Sequence, residues 1–396
     1  MRRRAIESQR PGAPRRRLRW AVTTFAVGAA LLTVTFTLAR PEEVYQNLAL
    51  LTEVLTDIQK DYVTEVDSPK LVHDAIVGML DHLDGDNEMI DRTHVADDRA
   101  GHAEVGLIVT RRGDDLVVVT STDDSPARRA GLESGDQIQK IDGADTRMLE
   151  TSEAAARLRG RSGTTVTLTV LRRGWPEPRD VTLTRARLRG PALSSRDLGD
   201  GLLLVRVHRM TAGLGEALTR ELAASRRAGL VLDLRSVGGG DVSDAVDLAQ
   251  PLLGPGIEVA HTTGRQGDAR QEFRTSTSAG HLDVPTVVLV NSGSAGAAEI
   301  VAGALRDCQR AVLVGGPTFG AADVTKSFPL ADGSVVRLTI ARYSTPDGTA
   351  IDRAGIAPDF EVASAAAGPP SKDAQLERAV EVLKIERVIA TRAADQ

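Results

Sequence analysis

Thr286-Val287-Val288-Leu289-Val290-Asn291-Ser292-Gly293-Ser294-Ala295-Gly296-Ala297-Ala298-Glu299-Ile300-Val301-Ala302-Gly303-Ala304-Leu305 is the stretch that decides the architecture. Its first five residues form a continuous apolar run, rich in β-branched side chains, of the kind that suits a strand buried on both faces. A turn of small residues follows, and from Ala295 to Arg306 the apolar positions fall into helical spacing. Strand, tight small-residue turn and helix in this order are one unit of an α/β layer structure.

Similar units extend outward on both sides. Strands are expected over Leu202 to Val207, Leu230 to Leu234 and Ala311 to Val314, with helices over Gly213 to Arg226 and Val242 to Leu252. Residues 188–363 therefore read as an α/β domain of parallel or mixed sheet. After a loose stretch from Ser364 to Ser371, helical spacing returns through Leu376, Ala379, Val382 and Leu383, giving a helical tail over 364–396.

Upstream, residues 104–187 change character. Short alternating strands are expected over Val105 to Val109, Leu116 to Thr120, Gln137 to Ile141, Thr165 to Leu171 and Arg179 to Thr184, interrupted by one helix from Thr151 to Arg159. This is a small, mostly-β domain. Residues 87–103 are polar and acidic and read as a flexible linker. Residues 41–86 read as two helices, the first carrying Val44, Leu48, Leu51, Val54, Leu55 and Ile58, the second running from Pro69 to Leu83 and stopped by Asp84-Gly85-Asp86-Asn87.

The N-terminus is a separate module. Residues 1–19 hold eight Arg and one Glu, so the remainder is more acidic than the overall net charge of -5. From Trp20 to Ala39 no residue is charged, and twenty helical residues at about 1.5 Å each span the roughly 30 Å of a bilayer's hydrocarbon core. The basic cluster predicts a cytoplasmic tail (1–19), a single-pass anchor in the cytoplasmic membrane (20–39), and folded domains on the exported, periplasmic or extracytoplasmic side. A cleaved signal peptide with a small-residue site near Ala39 is the alternative.

The acidic balance and the 3% aromatic content argue against nucleic acid as a partner, since neither phosphate attraction nor a stacking platform is provided. A lone cysteine, Cys308, forms no internal disulfide, and no His or Cys cluster has metal-ligand spacing, so no metal and no cofactor is expected.

Two sets of motifs carry a resemblance. Val105-Gly106-Leu107-Ile108, with Ser125-Pro126-Ala127-Arg128-Arg129-Ala130-Gly131-Leu132 and Gly135-Asp136-Gln137-Ile138, resembles a PDZ domain of the bacterial protease type. Such domains take a peptide C-terminus as an added strand, with backbone N–H groups at the glycine turn receiving its carboxylate. The resemblance implies peptide contacts at Val105, Gly106, Leu107 and Ile108, and at Ala155 and Leu158 of the helix. The stretches Leu230-Val231-Leu232-Asp233-Leu234-Arg235, Val288 to Ala295, Glu299 to Leu305, Pro317-Thr318-Phe319-Gly320, Ala341 to Pro346 and Gly355-Ile356-Ala357-Pro358-Asp359 resemble the carboxyl-terminal processing serine peptidases. With the preceding helices, that resemblance runs from about residue 43 to 385. The fold it implies is an α/β peptidase core with an inserted PDZ domain, an N-terminal helical segment and one transmembrane helix.

That family's nucleophile is the second serine of a Gly-Ser-Ala-Ser-Ala run, activated by a lysine in Phe-Gly-Lys-Gly and supported by a glutamine four residues later. Here the corresponding positions are Gly296, Ala321 and Thr325. Hydrogen and methyl cannot attack a carbonyl or take a proton. Gly239 and Gly240, in Ser236-Val237-Gly238-Gly239-Gly240, replace the family's Asn-Asn-Pro-Gly-Gly turn and, with Ala297, are the expected oxyanion loop. Ser294 and Lys326 are the only neighbours that a relocated dyad would use. The resemblance thus implies a membrane-anchored pseudopeptidase that binds unfolded or C-terminal peptide segments of exported proteins. It further implies a homo-oligomer or a heteromer with an active relative, as scaffold or regulator. A working serine endopeptidase that cleaves exported proteins near their C-termini is the alternative, and a purely structural relic is a third reading.

Overall fold

A computed structural model describes residues 41–83, 87–90, 103–188, 190–224, 228–265, 270–351, 353–363 and 373–394. The expected basic tail and membrane helix of residues 1–39 lie outside the described residues. Among the described residues no helix is long and apolar enough to cross a membrane. The chain divides into two units, residues 1–75 and 76–396. In the first, helix α1 (Pro41–Asp61) exposes Tyr45, Leu48 and Leu51. The Gln59 amide donates to the Ser68 hydroxyl at the start of α2 (Ser68–Asp81).

The second unit is built on a six-stranded sheet formed by β8 (Leu193–Gly199), β9 (Leu202–Val207), β10 (Gly229–Asp233), β13 (Thr286–Val290), β14 (Ala311–Gly315) and β17 (Phe360–Glu361). They lie in the order β17-β14-β13-β10-β9-β8. All neighbours are parallel except the β8–β9 pair. Alternate residues divide between two faces. Leu203, Val205, Leu230, Leu232, Val288 and Val290 meet α5 (Leu214–Ala223), α6 (Val242–Leu253) and α7 (Ala297–Asp307) through Leu218, Leu248 and Val301. Leu202, Leu204, Val231, Val287 and Leu289 meet Ala379, Val382 and Leu383 of α8 (Ala374–Ala394). The segment expected as a separate tail is therefore the second cover of the sheet, which is why Thr286–Val290 is buried at every position.

A second sheet runs β1-β16-β11-β12, with β15 also on β16. Its strands are β1 (Glu88–Ile90), β11 (Glu258–Gly264), β12 (Glu272–Arg274), β15 (Asp323–Pro329) and β16 (Val335–Ser344). Here the expected linker over 87–103 needs correction. Glu88, Met89 and Ile90 form a buried strand registered against Arg337, Val336 and Val335, and the rest of the expected linker that is described begins at Ala103. Three residues are too few for a period, and the charge on Glu88 conceals them. The sheet as a whole escaped pattern reading because β15 and β16 carry Lys326, Arg337 and Arg342 among their apolar residues.

The mostly-β domain has the sheet order β2-β3-β4-β6-β7, with β5 beside β4. It comprises β2 (Leu107–Arg112), β3 (Asp115–Ser121), β4 (Gln137–Ile141), β5 (Ala144–Asp145), β6 (Thr165–Leu171) and β7 (Arg179–Thr184), with the short α3 (Pro126–Arg129) and α4 (Thr151–Leu158). Val118, Ile138, Ile141, Val166 and Leu168 bury the inner face against Ala154 and Leu158. The first strand starts two residues later than expected because Gly106 turns at φ +76, where a Cβ would lie 2.2 Å from Ser125 Cβ. No other residue fits there.

Helices α5 and α6 cross at Gly215, whose Cβ, if present, would lie 2.1 Å from the Asp247 carbonyl oxygen. Gly215→Ala is expected to lose about 3 kcal/mol, the upper range for overpacking, read as a lowered urea midpoint with unchanged m-value.

Candidate active site

The chain leaves β13 through a turn locked from within. The Asn291 carboxamide oxygen accepts from Ser236 N at 2.8 Å and Gly293 N at 3.0 Å. Ser294 Oγ donates to Leu234 O at 2.8 Å and accepts from Asn291 N at 3.1 Å. Gly296 then takes φ +63, ψ -121, and α7 begins at Ala297. This is a strand-to-helix corner whose residue 296 faces outward beside helix-start amides.

Glu299, one turn into α7 and fully buried, fixes that corner. Its Oε2 accepts from Gly296 N at 3.0 Å, in the manner of a capping box, and from Ala321 N at 2.9 Å. Its Oε1 accepts from Gly320 N at 2.7 Å and Thr318 Oγ1 at 2.5 Å. One carboxylate thus joins the turn at 296 to the turn at 321. Burial pushes its pKa up, and the four donors pull against that rise. Sequence reading quoted Glu299 without giving it a role, although a glutamate three residues past a helix start is a capping signal.

A cavity of about 330 Å³ opens beside the corner, lined by Gly239, Gly240, Gly296, Ala297, Ala321 and Thr325, with Ile108 and Val109 of β2 on the opposite wall. A Cβ at 296 would lie 3.7 Å from Ala321 O and 3.4 Å from Gly239 O, ordinary contacts with room for a side chain. The structure therefore brings the three catalytic-position residues and the oxyanion-loop residues into one cavity. Ala297 N, an expected oxyanion donor, points at Gly239 O at 3.4 Å, and Ala295 N donates to Val237 O at 2.9 Å. Asp241, Asp323 and Tyr343 add polarity to the lining. Burial first, then the Asp241 charge, raises the Tyr343 phenol pKa, so it stays protonated.

The rescue residues do not form a dyad. Ser294 is buried with both its proton and an acceptor site engaged. Lys326 lies within β15, exposed, over the ring of Phe328, and it is absent from the cavity lining. A Ser–His–Asp chain exists elsewhere: Ser194 Oγ is 2.8 Å from His208 Nε2, and His208 Nδ1 is 3.0 Å from Asp123 Oδ2. Ser194 stands exposed on the edge strand β8, however, and lies in neither the 296 cavity nor the peptide groove. Asp123 also accepts from Arg206 at 2.7 Å, and Arg206 reaches buried Asp233, which Arg235 grips as well. We read this chain as a link between the mostly-β domain and the core. Burial acts to raise the Asp123 pKa, but its bonds to Arg206 and His208 outweigh this and hold it below the ordinary aspartate range.

That link is one of several. Val117 and Val119 of β3 pack on Ala295 and Phe319, the Arg112 guanidinium lies 4.0 Å over the Phe319 ring, and its Nη2 donates to Phe319 O at 2.6 Å. The mostly-β domain thus roofs the 296 cavity. A second groove of about 360 Å³, sharing Ile108 and Val109 with the 296 cavity, runs between β2 and α4 and is lined by Val105, Gly106, Leu107, Ile108, Ala155 and Leu158. All six residues expected to meet peptide lie along it, although the Val105 side chain belongs to the domain core.

Family models match the two halves of this description: "PDZ domain" over residues 117–172 and "Peptidase family S41" over residues 201–362. A carboxy-terminal-processing protease of Bartonella bacilliformis is 34% identical over 81% of this chain and 76% of its own length. The chain belongs to peptidase family S41. A carboxyl-terminal-processing protease of Synechocystis is 40% identical over 59% of this chain and 56% of that relative. Among solved structures, a photosystem II D1 C-terminal processing protease superposes with TM-score 0.68 at 27% identity, over 85% of this chain and 96% of that one. An S41 core with a PDZ domain is thus shown.

Glu299→Gln places an amide against two of the four donors, and each donor left unsatisfied costs about 1–3 kcal/mol; a lower denaturation midpoint, with Glu299→Ala lower still, is the expected result. Because the folded pKa of Asp123 is depressed, its contribution is full above the ordinary aspartate pKa and is lost as pH falls through the lowered folded value. Denaturation curves of wild type and Asp123→Asn should therefore differ near neutrality and converge in strong acid.

Proposed function

We propose that this S41 chain captures the C-terminal segments of exported proteins in its PDZ groove and does not cut them, acting as a scaffold or as a regulator of an active relative. One observation carries the reading: at the strand-to-helix corner, where family resemblance puts the serine and lysine, the cavity is lined by a glycine and an alanine. The backbone that would position a nucleophile is retained, while the groups that would form and break an acyl bond are missing. The peptide groove, by contrast, has its glycine turn, its open strand β2 and its apolar floor. In this reading residues 20–39 anchor the chain in the cytoplasmic membrane, its folded part faces the exported side, and it assembles with copies of itself or with an active relative.

A second reading is a working serine endopeptidase. The relatives' own names, carboxyl-terminal processing proteases, favour it more directly than they favour a non-cleaving protein. One experiment separates the two. Full-length protein in mild detergent is incubated with an unstructured substrate ending in apolar residues, and binding and cleavage are followed together. Saturable binding lost on amidation of the terminal carboxylate, with the substrate intact by mass spectrometry, is expected. Sequence-specific turnover at enzyme-like rates establishes the second reading instead.

A further inference from the structure

The peptide groove is not built by the PDZ domain alone. Asn87 and Glu88 of the β1 segment and Arg337 of β16 line it as well. Glu88 Oε2 accepts from Ser152 N at 2.9 Å, supplying the N-terminus of α4 with a cap that its own N-cap residue Glu150 does not provide. Glu88 Oε1 accepts from Arg337 Nη1 at 2.6 Å. The Glu88 carboxylate is therefore enclosed, with a side chain 5% exposed, between a helix start and a guanidinium whose side chain is 38% exposed. Guanidinium has five N–H donors in a planar fork, and the bond to Glu88 engages one of them. The other charged residues of the groove lining are Arg111, Arg159 and Glu104. Arg111 is directed away, onto the carbonyls of Asp114, Thr146 and Leu149.

The direction of a bound peptide follows from the domain's own pairing. Ala103 bridges to Gly160, so the glycine turn at 106 lies at the Leu158 end of α4 and Ser152 marks the far end. Six helical residues separate Ser152 from Leu158, about 9 Å. An extended chain covers that in two to three residues at about 3.3 Å each. A side chain two or three positions before the terminal residue thus arrives at Glu88 and Arg337.

Resting on the peptide-capture reading above, we propose that Arg337, lent to the groove by the peptidase sheet, selects C-termini that carry a carboxylate side chain two or three residues before an apolar terminal residue. The interaction is a charge-assisted hydrogen bond at a half-exposed site. It discriminates without dominating affinity, and it weakens as salt rises.

Fluorescence anisotropy on the full chain in mild detergent tests this, using labelled peptides that end in the same apolar residue and carry Glu, Gln or Lys at either upstream position. The Glu peptides are expected to bind about 1.5- to 5-fold tighter than the Gln peptides, the range for a partly exposed charge pair, and the Lys peptides weakest. Arg337→Ala is expected to abolish the preference for Glu over Gln, since it also leaves the Glu88 carboxylate without its cation; Arg337→Lys, which keeps a cation beside Glu88, is expected to restore part of the preference, and circular dichroism of both variants reports that the fold is kept. Equal affinities, a Lys preference, or a Glu preference that survives Arg337→Ala overturns the proposal while leaving peptide capture standing. Failure of every peptide to bind overturns capture itself, and the proposal with it.

Discussion

The Glu299 carboxylate is the constraint around which the site is arranged. Two turns, at Gly296 and at Gly320–Ala321, both direct backbone N–H groups at the same pair of oxygens, and Phe319 N donates to Ser294 O between them as well. A buried carboxylate is costly unless its lone pairs are filled, and here four donors fill them. Thr318 adds a second tie, since its hydroxyl donates to Glu299 and accepts from Ile356 N. The corner is held by this carboxylate together with the Asn291 and Ser294 bonds of the turn, none of which involves a side chain at residue 296.

Charge organises the junction between the domains in the same way. Asp233 at the end of β10 is held by Arg235 and Arg206, and Arg206 passes the contact on to Asp123 of the PDZ domain. Arg235 reaches in the other direction to Asp373 at the start of α8. A single chain of alternating charges thus runs from the helix that covers one sheet face to the domain that roofs the cavity. Removing one partner leaves its neighbour buried and uncompensated, so such chains are sensitive to the loss of any member.

Much of this was legible in the residues themselves. The β13–α7 unit announced itself because four consecutive apolar residues, Val287 to Val290, have few other uses, and the strands of the mostly-β domain because their alternation is clean. The second sheet was hidden. β1 is three residues long with a glutamate in first place, and β16 earns its burial by pairing with β15, β1 and β11 rather than by its own composition. The role of the C-terminal helix was missed for a similar reason: spacing tells that Ala379, Val382 and Leu383 share a face but not which face of which sheet receives them. At the site, the family resemblance pointed to Gly296 and Ala321. Ser294, an outside candidate against its reading as a turn serine, is a turn serine, its hydroxyl bonded to Leu234 O and Asn291 N.

Gly296 sits at φ +63, ψ -121, a backbone setting that L side chains rarely adopt and that strains them by about 1–3 kcal/mol. Glycine takes this setting without strain, and any side chain introduced at 296 would be held in a tense backbone at the mouth of the cavity. Stability and the presence of a reactive group therefore pull against each other at this one residue.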